Sequence, residues 1–308
     1  MYDIEYRQIF ECQKGYRNEI WPVLTNDNKM INVTFYKREA GIVDRIKRAD
    51  AVSEYLHSCG MPTRKRYAKK LLKLVSEKVS THVGVYDYLP GQTIPWDSYT
   101  MERIKNLGKT MSDMHYHLSQ MPSSNLPSVY DEYQLIIDRM AGYFARPDVN
   151  LAVQEKLGLK IDLASIIAFK KVLKKCSLLA GSQPLHMDFV RGNILFDDDN
   201  VCGILDFEKT AIGHVSMDIA RTLAFLLVDC KYKTADKITK YFIYSGYQKR
   251  GKNKIVIDSV VLDNLVKLFL TYDFYKFLRH NPYESLQFNE HYIRTKDILA
   301  GRGVIFYK

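Results

Sequence analysis

The stretch LHMDFVRGNILFD, residues 185–197, places a histidine, an aspartate and an asparagine directly ahead of an apolar run. Apolar residues on both sides of the turn-forming DDDN predict a tight β-hairpin over residues 194–205. Asn193 precedes this hairpin and Asp206 follows it. Because the two ends of a hairpin lie together, we expect these side chains to sit side by side, with Asp188 on the loop that enters the first strand.

This set of side chains suits phosphoryl transfer from a nucleotide. Carboxylate and amide oxygens are hard ligands, so Asn193 and Asp206 are candidate ligands of Mg²⁺. Asp188 is the candidate acceptor for the proton of an incoming hydroxyl group. We expect His186 to brace the loop through hydrogen bonds and Arg191 to neutralise phosphate or the catalytic carboxylate.

The order LHMDFVRGNILFD followed by GILDFEKTAIGHVSMDIA resembles the aminoglycoside phosphotransferase and choline-kinase-like family. These are small-molecule kinases with a protein-kinase-like fold. The resemblance implies ATP and Mg²⁺ as cofactors and a γ-phosphate acceptor that is a small hydroxylated metabolite or an aminoglycoside-like compound. The positions that match the family motif are His186, Asp188, Asn193, Asp206 and Asp218.

The resemblance extends towards the N-terminus. KGYRNEIWPV, residues 14–23, is similar to the family's phosphate-covering loop, and VYDYLPGQTIP, residues 85–95, is similar to the hinge whose backbone pairs with adenine. Lys37 resembles the lysine that contacts nucleotide phosphates, with Lys14 and Arg38 as the alternatives. The residues that we assign to the nucleotide on this basis are Gly15, Asn18, Lys37, Asp50 and Tyr88.

One family feature is missing. A glutamate on the helix after the lysine strand usually forms an ion pair with that lysine, and the corresponding place falls at Ala49. Asp50 is adjacent and Glu54 lies about one turn further on. A shift of one residue rotates a side chain by about 100° around a helix. Asp50, Glu54 or another arrangement must therefore hold the lysine.

The remaining pattern predicts an α+β chain, β-rich over residues 1–90 and mainly helical over residues 91–308. The resemblance implies that these parts are the two lobes of a protein-kinase-like fold, with the nucleotide bound by residues 1–90 and the catalytic loop and acceptor site in residues 91–308. Alternation places Ile31, Val33 and Lys37 on one face of a strand. The predicted strands are 19–25, 30–37 and 81–88, and the predicted helices are 42–58, 101–119, 131–144, 161–179, 218–228, 235–245 and 259–279.

Composition excludes several other classes. The chain has 46% hydrophobic and 26% charged residues and a net charge of +10. The basic run RKRYAKK, residues 64–70, lacks the aromatic interleaving of a nucleic-acid site, so we expect a solvated loop there. Five scattered cysteines indicate reduced thiols, and the longest apolar run, 223–228, is too short for a bilayer. We expect a cytoplasmic protein that binds neither nucleic acid nor membranes.

Two other functions remain open at this point. The chain could be a catalytically inactive kinase-fold protein with a binding or regulatory role, which the single loop glycine and the missing glutamate favour. It could also be a metal-dependent phosphoesterase built on His186, Asp188, Asp206 and His214. The acceptor is open too, because the tyrosines of residues 271–280 suit a quaternary ammonium group whereas Asp229, Asp236 and Asp273 suit a polycation.

Overall fold

The computed structural model describes residues 2–15, 18–75, 80–122 and 125–307. Their packing divides the chain into two compact units. The sheet unit comprises residues 1–93 together with 192–210, and the helical unit comprises residues 94–191 together with 211–308. A β-rich first unit and a mainly helical second unit are what the sequence predicted.

Strands are concentrated in the first 90 residues and helices in the rest of the chain, as expected for an α+β chain. The strands are β1 Tyr6–Ile9, β2 Gln13–Lys14, β3 Asn18–Thr25, β4 Met30–Tyr36, β5 Leu72–Val75, β6 Ser80–Asp87, β7 Leu159–Ile161, β8 Gln183–Leu185, β9 Ile194–Asp197, β10 Asn200–Ile204, β11 Ala211–Gly213 and β12 Ile305–Tyr307. The helices are α1 Ile42–Ser58, α2 Met101–Leu118, α3 Val129–Phe144, α4 Pro147–Leu157, α5 Leu163–Ser177, α6 Ser216–Asp229, α7 Ala235–Thr239, α8 Ser259–His280, α9 Tyr283–Leu286 and α10 Glu290–Gly301.

The sheet unit is built on a six-stranded antiparallel sheet in the order β1-β3-β4-β6-β5, with β2 paired to β3. Its two faces bury different side chains, since neighbouring residues of a strand point in opposite directions. Tyr36 and Tyr86 pack with Ile46 of α1 on one face. Ile31 and Val85 belong to a second cluster. The sheet is therefore covered on both faces.

This two-sided burial changes the expected position of Lys37. The predicted alternation put Lys37 on the same face as Ile31, along a strand ending at Lys37. In the structure β4 ends at Tyr36, the deeply buried residues of its second half are Thr34 and Tyr36, and Lys37 is exposed. Lys37 thus lies one residue past the end of β4 and not on a buried face of the sheet.

Helices dominate the second unit, where α2 packs against a π-helical segment, Lys240–Gln248. Glycine permits this approach: a Cβ at Gly108 would meet the Phe242 carbonyl oxygen at 2.1 Å, and a Cβ at Gly246 would meet the Lys105 carbonyl oxygen at 2.5 Å. The expected helix 235–245 is thus α7 followed by this wider turn, which brings Tyr247 against α2.

The sequence predicted a single boundary between the two units at residue 90, and the structure differs from this in one respect. The β9–β10 hairpin belongs to the sheet unit, although the residues before and after it in sequence belong to the helical unit. Gln92 and Phe196 exchange backbone hydrogen bonds of 3.0 and 2.9 Å, and Thr63 pairs with Ile204. No helix in the described part of the chain is both long and apolar enough to cross a bilayer.

Candidate active site

The β9–β10 hairpin brings together the two proposed metal ligands. Ile194 pairs with Ile204 at the open end of the hairpin, and the Leu205 N–H donates to the Asn193 carbonyl oxygen at 2.8 Å. Asn193 and Asp206 therefore flank the same end of the hairpin, as the sequence predicted. Asp206 has φ 57°, in the left-handed region that few residues other than glycine adopt. The fold holds this carboxylate in an uncommon backbone geometry.

A second carboxylate, Glu208, lies beside this pair and was not predicted. The Glu208 N–H donates to Asp206 Oδ1 at 3.3 Å, and Asn18 Nδ2 donates to Glu208 Oε1 at 2.8 Å. Burial and then the charge of Asp206 raise the pKa of Glu208. The only sequence signal for this role was the spacing of two residues in DFE.

The oxygen atoms of these side chains are suitable ligands for a Mg²⁺ ion. Asn18 Oδ1 is buried and has no hydrogen-bond partner among the described residues, so an oxygen acceptor is left open beside the carboxylates. Hard oxygen atoms are what Mg²⁺ binds, and it commonly uses one or two protein side chains together with substrate phosphate and water. The described residues contain no cluster of three or more His, Cys, Asp or Glu side chains with metal-holding geometry.

In the helical unit, the loop that carries Asp188 is anchored by Asp218 of α6. Asp218 accepts hydrogen bonds from the backbone N–H groups of His186 and Met187, each at 2.7 Å. Met187 has φ 60°, so the chain turns sharply before Asp188. The Asp188 N–H donates to His186 Nδ1 at 3.2 Å, which is the bracing role expected of this histidine. Thr222 Oγ1 donates to the Phe189 carbonyl oxygen at 2.8 Å and holds the other side of the loop.

His115 of α2 completes the buried anchor of this loop. His115 Nε2 lies 3.1 Å from Asp218 Oδ2, and His115 Nδ1 lies 2.8 Å from the Tyr247 hydroxyl. Because a carboxylate only accepts hydrogen bonds, Nε2 donates to Asp218. Burial opposes a charge on Asp218, but the His115 contact and the nearby N–H groups lower the pKa of Asp218 below its ordinary value.

Arg221 is a further charged residue of this unit that the sequence did not single out. Arg221 Nη1 donates to Asp273 Oδ2 at 3.0 Å, and its guanidinium carbon lies 4.3 Å from the centre of the Phe225 ring. Burial disfavours its charge, but the carboxylates of Asp273 and Asp188 help to raise the pKa of Arg221. Arg221 therefore provides positive charge near Asp188. The predicted Arg191 is exposed, and its Nε lies 3.9 Å from Asp229 Oδ2.

The residues assigned to the nucleotide lie in different parts of the sheet unit. The Gly15 N–H donates to the Asn18 carbonyl oxygen at 2.9 Å, and the Tyr88 N–H lies 3.4 Å from the Met30 carbonyl oxygen at the end of β6. Residues 16 and 17 of the expected phosphate-covering loop, and the side chain of Lys14, lie outside the described part.

Asp50, the substitute considered for the family glutamate, is buried on α1 but does not hold Lys37. Its Oδ2 accepts from Arg66 Nε at 2.5 Å and from the Tyr86 hydroxyl at 3.4 Å. Burial raises the pKa of Asp50 in spite of the nearby arginines. Glu54, the other substitute, accepts from the backbone N–H of Arg66 at 3.3 Å. Both helix carboxylates thus serve Arg66 in the basic run.

A family model described as "Phosphotransferase enzyme family" matches residues 11–230. Among solved structures, an amicoumacin kinase in complex with AMP-PNP, Ca²⁺ and Ami is 13% identical with a TM-score of 0.70, and the match covers 97% of this chain and 90% of that chain. A microcompartment-associated aminopropanol kinase is 11% identical with a TM-score of 0.63, covering 98% and 96%. A spectinomycin phosphotransferase in complex with ADP and spectinomycin is 14% identical with a TM-score of 0.58, covering 96% and 90%.

At these identities the structural matches bear on the fold alone, and they confirm the predicted α+β, two-lobed, protein-kinase-like class. No curated protein sequence matches the chain.

Proposed function

Because the chain belongs to the phosphotransferase enzyme family, we propose that it uses ATP and Mg²⁺ to phosphorylate a hydroxyl group of a small molecule. Membership confirms the resemblance read from residues 185–218. The observation that carries the proposal is that Asn193 and Asp206 flank the same end of the β9–β10 hairpin, where the Leu205 N–H donates to the Asn193 carbonyl oxygen. An amide and a carboxylate held together by backbone hydrogen bonds are the donor set that a nucleotide-bound magnesium ion needs.

Asp188 is proposed to act on the acceptor. Its carboxylate accepts the proton of the attacking hydroxyl and orients that oxygen in line with the γ-phosphorus. The hydrogen bonds from the loop to Asp218 and from Asp188 to His186 support this role, because they fix the backbone on which Asp188 stands. Arg221 keeps positive charge near Asp188, and we keep Arg191 as a residue that neutralises phosphate.

Residues of the sheet unit are proposed to bind the nucleotide. Asn193 and Asp206 would hold the magnesium ion, which would supply positive charge to stabilise the phosphate oxygens. Asn18 has a free amide oxygen beside the carboxylates and fits the same region. Gly15 and Tyr88 are proposed to line the same nucleotide site. Asp50 is proposed to act there through Arg66, with which it pairs, and Lys37 is exposed past the end of β4 and is left out of the site.

The acceptor is proposed by comparison with the structurally similar proteins. Those proteins are described as kinases or phosphotransferases of amicoumacin, aminopropanol and spectinomycin. We therefore propose a small hydroxylated acceptor, with amino alcohols and amino-substituted antibiotics as the first compounds to examine. Asp273 is paired with Arg221 and Lys276, so it is not available as an acidic site for a polycation.

The exposed position of Lys37 favours one alternative, a kinase-fold protein that binds ligands without transfer. A screen of the purified protein separates the two. ATP consumption is measured against amino alcohols, sugars and aminoglycosides, and the phosphorylated product is identified by mass spectrometry. Asp188→Asn serves as the blank, since it should bind ATP and Mg²⁺ like the wild type and transfer nothing. Transfer at the wild-type rate by Asp188→Asn would exclude the proposed role of Asp188, and nucleotide binding with no transfer to any acceptor would support the inactive alternative.

A further inference from the structure

Arg64 opens the basic run that the sequence suggested is a solvated loop, yet it stands beside the proposed metal site. The chain at Thr63 runs parallel to β10 and pairs with Ile204, and the Ile204 N–H donates to the Pro62 carbonyl oxygen at 2.7 Å. Arg64 is one residue past this bridge and Asp206 is two residues past it. Two parallel segments thus carry the arginine and the carboxylate to the same end of the hairpin.

The guanidinium of Arg64 is held by two tyrosines. Its central carbon lies 3.9 Å from the centre of the Tyr86 ring, and its Nη2 donates to the Tyr36 hydroxyl at 3.3 Å. The two tyrosine hydroxyls are 2.6 Å apart. Ser53 Oγ of α1 donates to the Arg64 carbonyl oxygen at 2.5 Å. A planar cation stacked on an aromatic ring and tied at its backbone keeps its orientation without a ligand.

The charge of Arg64 acts on the carboxylates of Asp206 and Glu208. The helix carboxylate Asp50 is already paired with Arg66. Burial disfavours the charge of Arg64, but its tyrosine neighbours and the carboxylates of Asp50 and Asp206 raise its pKa above the ordinary value. Burial raises the pKa of Glu208, and the charge of Arg64 opposes that rise. Together with the bridge from Thr63 to Ile204, this places a charged guanidinium in the neighbourhood of the carboxylates.

Lys37 does not compete for this position. The buried face of β4 beyond its centre consists of Thr34 and Tyr36, and Lys37 follows the strand and is exposed. Thr34 is 1% exposed, and its hydroxyl has no hydrogen-bond partner among the described residues. The strand thus offers a small polar side chain to the interior, and the cation there comes from the segment after α1.

We propose that Arg64 is the principal cation that binds the nucleotide phosphates beside Asp206, the role that the sequence assigned to Lys37. This inference rests on the proposed function and specifies its nucleotide site. A guanidinium presents several N–H donors in one plane and binds two phosphate oxygens at once, whereas an ammonium acts as a point charge. Asp50 and Arg66 then support Tyr86, on which Arg64 stacks, and Asp50 is a positioning residue.

The test measures binding of a fluorescent ATP analogue with Mg²⁺, and also without it. Wild-type binding establishes the nucleotide site itself, so a wild type that does not bind excludes both the proposed function and this inference. If the wild type binds, Arg64→Gln should weaken the affinity of the protein for nucleotide with Mg²⁺ by about 10- to 100-fold, since a charged hydrogen-bond partner is lost. Arg64→Lys should recover only part of this loss, and Lys37→Ala should cost less than about threefold.

Lys65→Ala is the matched control, because Lys65 is the next residue and is exposed. Its Nζ lies 3.8 Å from Asp87 Oδ2. The affinity of this variant should equal that of the wild type. Wild-type affinity in Arg64→Gln, with a large loss in Lys37→Ala, would overturn the inference. If Arg64→Gln does not fold, modification of wild-type arginines by phenylglyoxal decides instead. Nucleotide with Mg²⁺ should protect Arg64, and an unchanged modification rate at Arg64 would overturn the inference.

Discussion

Asp218 Oδ2 accepts the backbone N–H of His186 at 2.7 Å, and both residues are fully buried. The same oxygen contacts His115, and Oδ1 accepts the N–H of Met187. Every donor around this carboxylate therefore stabilises its charged form. Asp218 does not belong to the proposed phosphate or acceptor site, but it determines where Asp188 stands. Its effect on catalysis passes through the geometry of the loop.

The first prediction concerns Asp218→Asn. An amide has one acceptor oxygen, so its NH₂ group must face a backbone N–H or His115, and a buried donor is left unpaired. We expect the free energy of unfolding to fall by about 3 kcal/mol. Displacement of Asp188 should lower kcat by about 100-fold while the KM for ATP stays unchanged. Urea denaturation and steady-state kinetics measure both effects.

Asp148→Asn is the control, since Asp148 is an exposed carboxylate paired with Arg146. It should change the unfolding free energy by less than about 0.5 kcal/mol. An Asp218→Asn protein with wild-type kcat would contradict the positioning role.

The second prediction is the pH dependence of stability. Asp218 and Asp273 both have a pKa below the ordinary value of 3.8 in the folded chain. A carboxyl with a lowered pKa binds fewer protons folded than unfolded, so its contribution is complete above pH 3.8 and is lost as the pH falls through the folded value. Urea unfolding from pH 6 to pH 2.5 should show a steep loss of stability below about pH 4. A flatter slope is expected in Asp218→Asn, and a slope unchanged by that substitution would contradict the assignment.

The third prediction concerns the buried pair of Arg221 and Asp273. Asp273→Ala leaves the guanidinium and Lys276 without their carboxylate, and we expect a loss of about 3 to 5 kcal/mol in the free energy of unfolding. The double variant Arg221→Met with Asp273→Leu should recover most of that loss, because no buried charge remains. Asp148→Ala removes an exposed ion pair and should cost less than about 1 kcal/mol. Equal losses in Asp273→Ala and Asp148→Ala would show that burial of the pair is unimportant.

Local patterns predicted many elements well. Helix α1 has the predicted bounds, Ile42–Ser58, because a periodic apolar run ends at a glycine and a proline. Both hairpins formed where turn residues separate short apolar strands. Asn193 and Asp206 lie together for the same reason, since the paired strands of a hairpin hold its two open ends side by side.

Contacts between distant parts of the sequence escaped prediction. His115 and Asp218 are 103 residues apart, and no spacing rule joins α2 to α6. Arg64 lies in a basic run that reads as a solvated loop, but its stacking on Tyr86 depends on the arrangement of strands in the sheet. Alternation did not show that β4 ends at Tyr36 and leaves Lys37 exposed, since the point where a strand ends depends on its pairing with neighbouring strands.

The last prediction tests the metal site through Asp206→Ala. Nucleotide binding by the wild type should be at least about tenfold tighter with Mg²⁺ than with EDTA, because Asn193 and Asp206 are the proposed ligands that would hold the ion beside the nucleotide. Removing one of only two proposed ligands should abolish that difference and also phosphoryl transfer, while the apo protein remains folded in thermal melting. Asp197→Asn is the matched control, since Asp197 is exposed at the other end of the same hairpin. Full Mg²⁺ dependence in Asp206→Ala, or its loss in Asp197→Asn, would contradict the assignment of the metal to the open end of the hairpin.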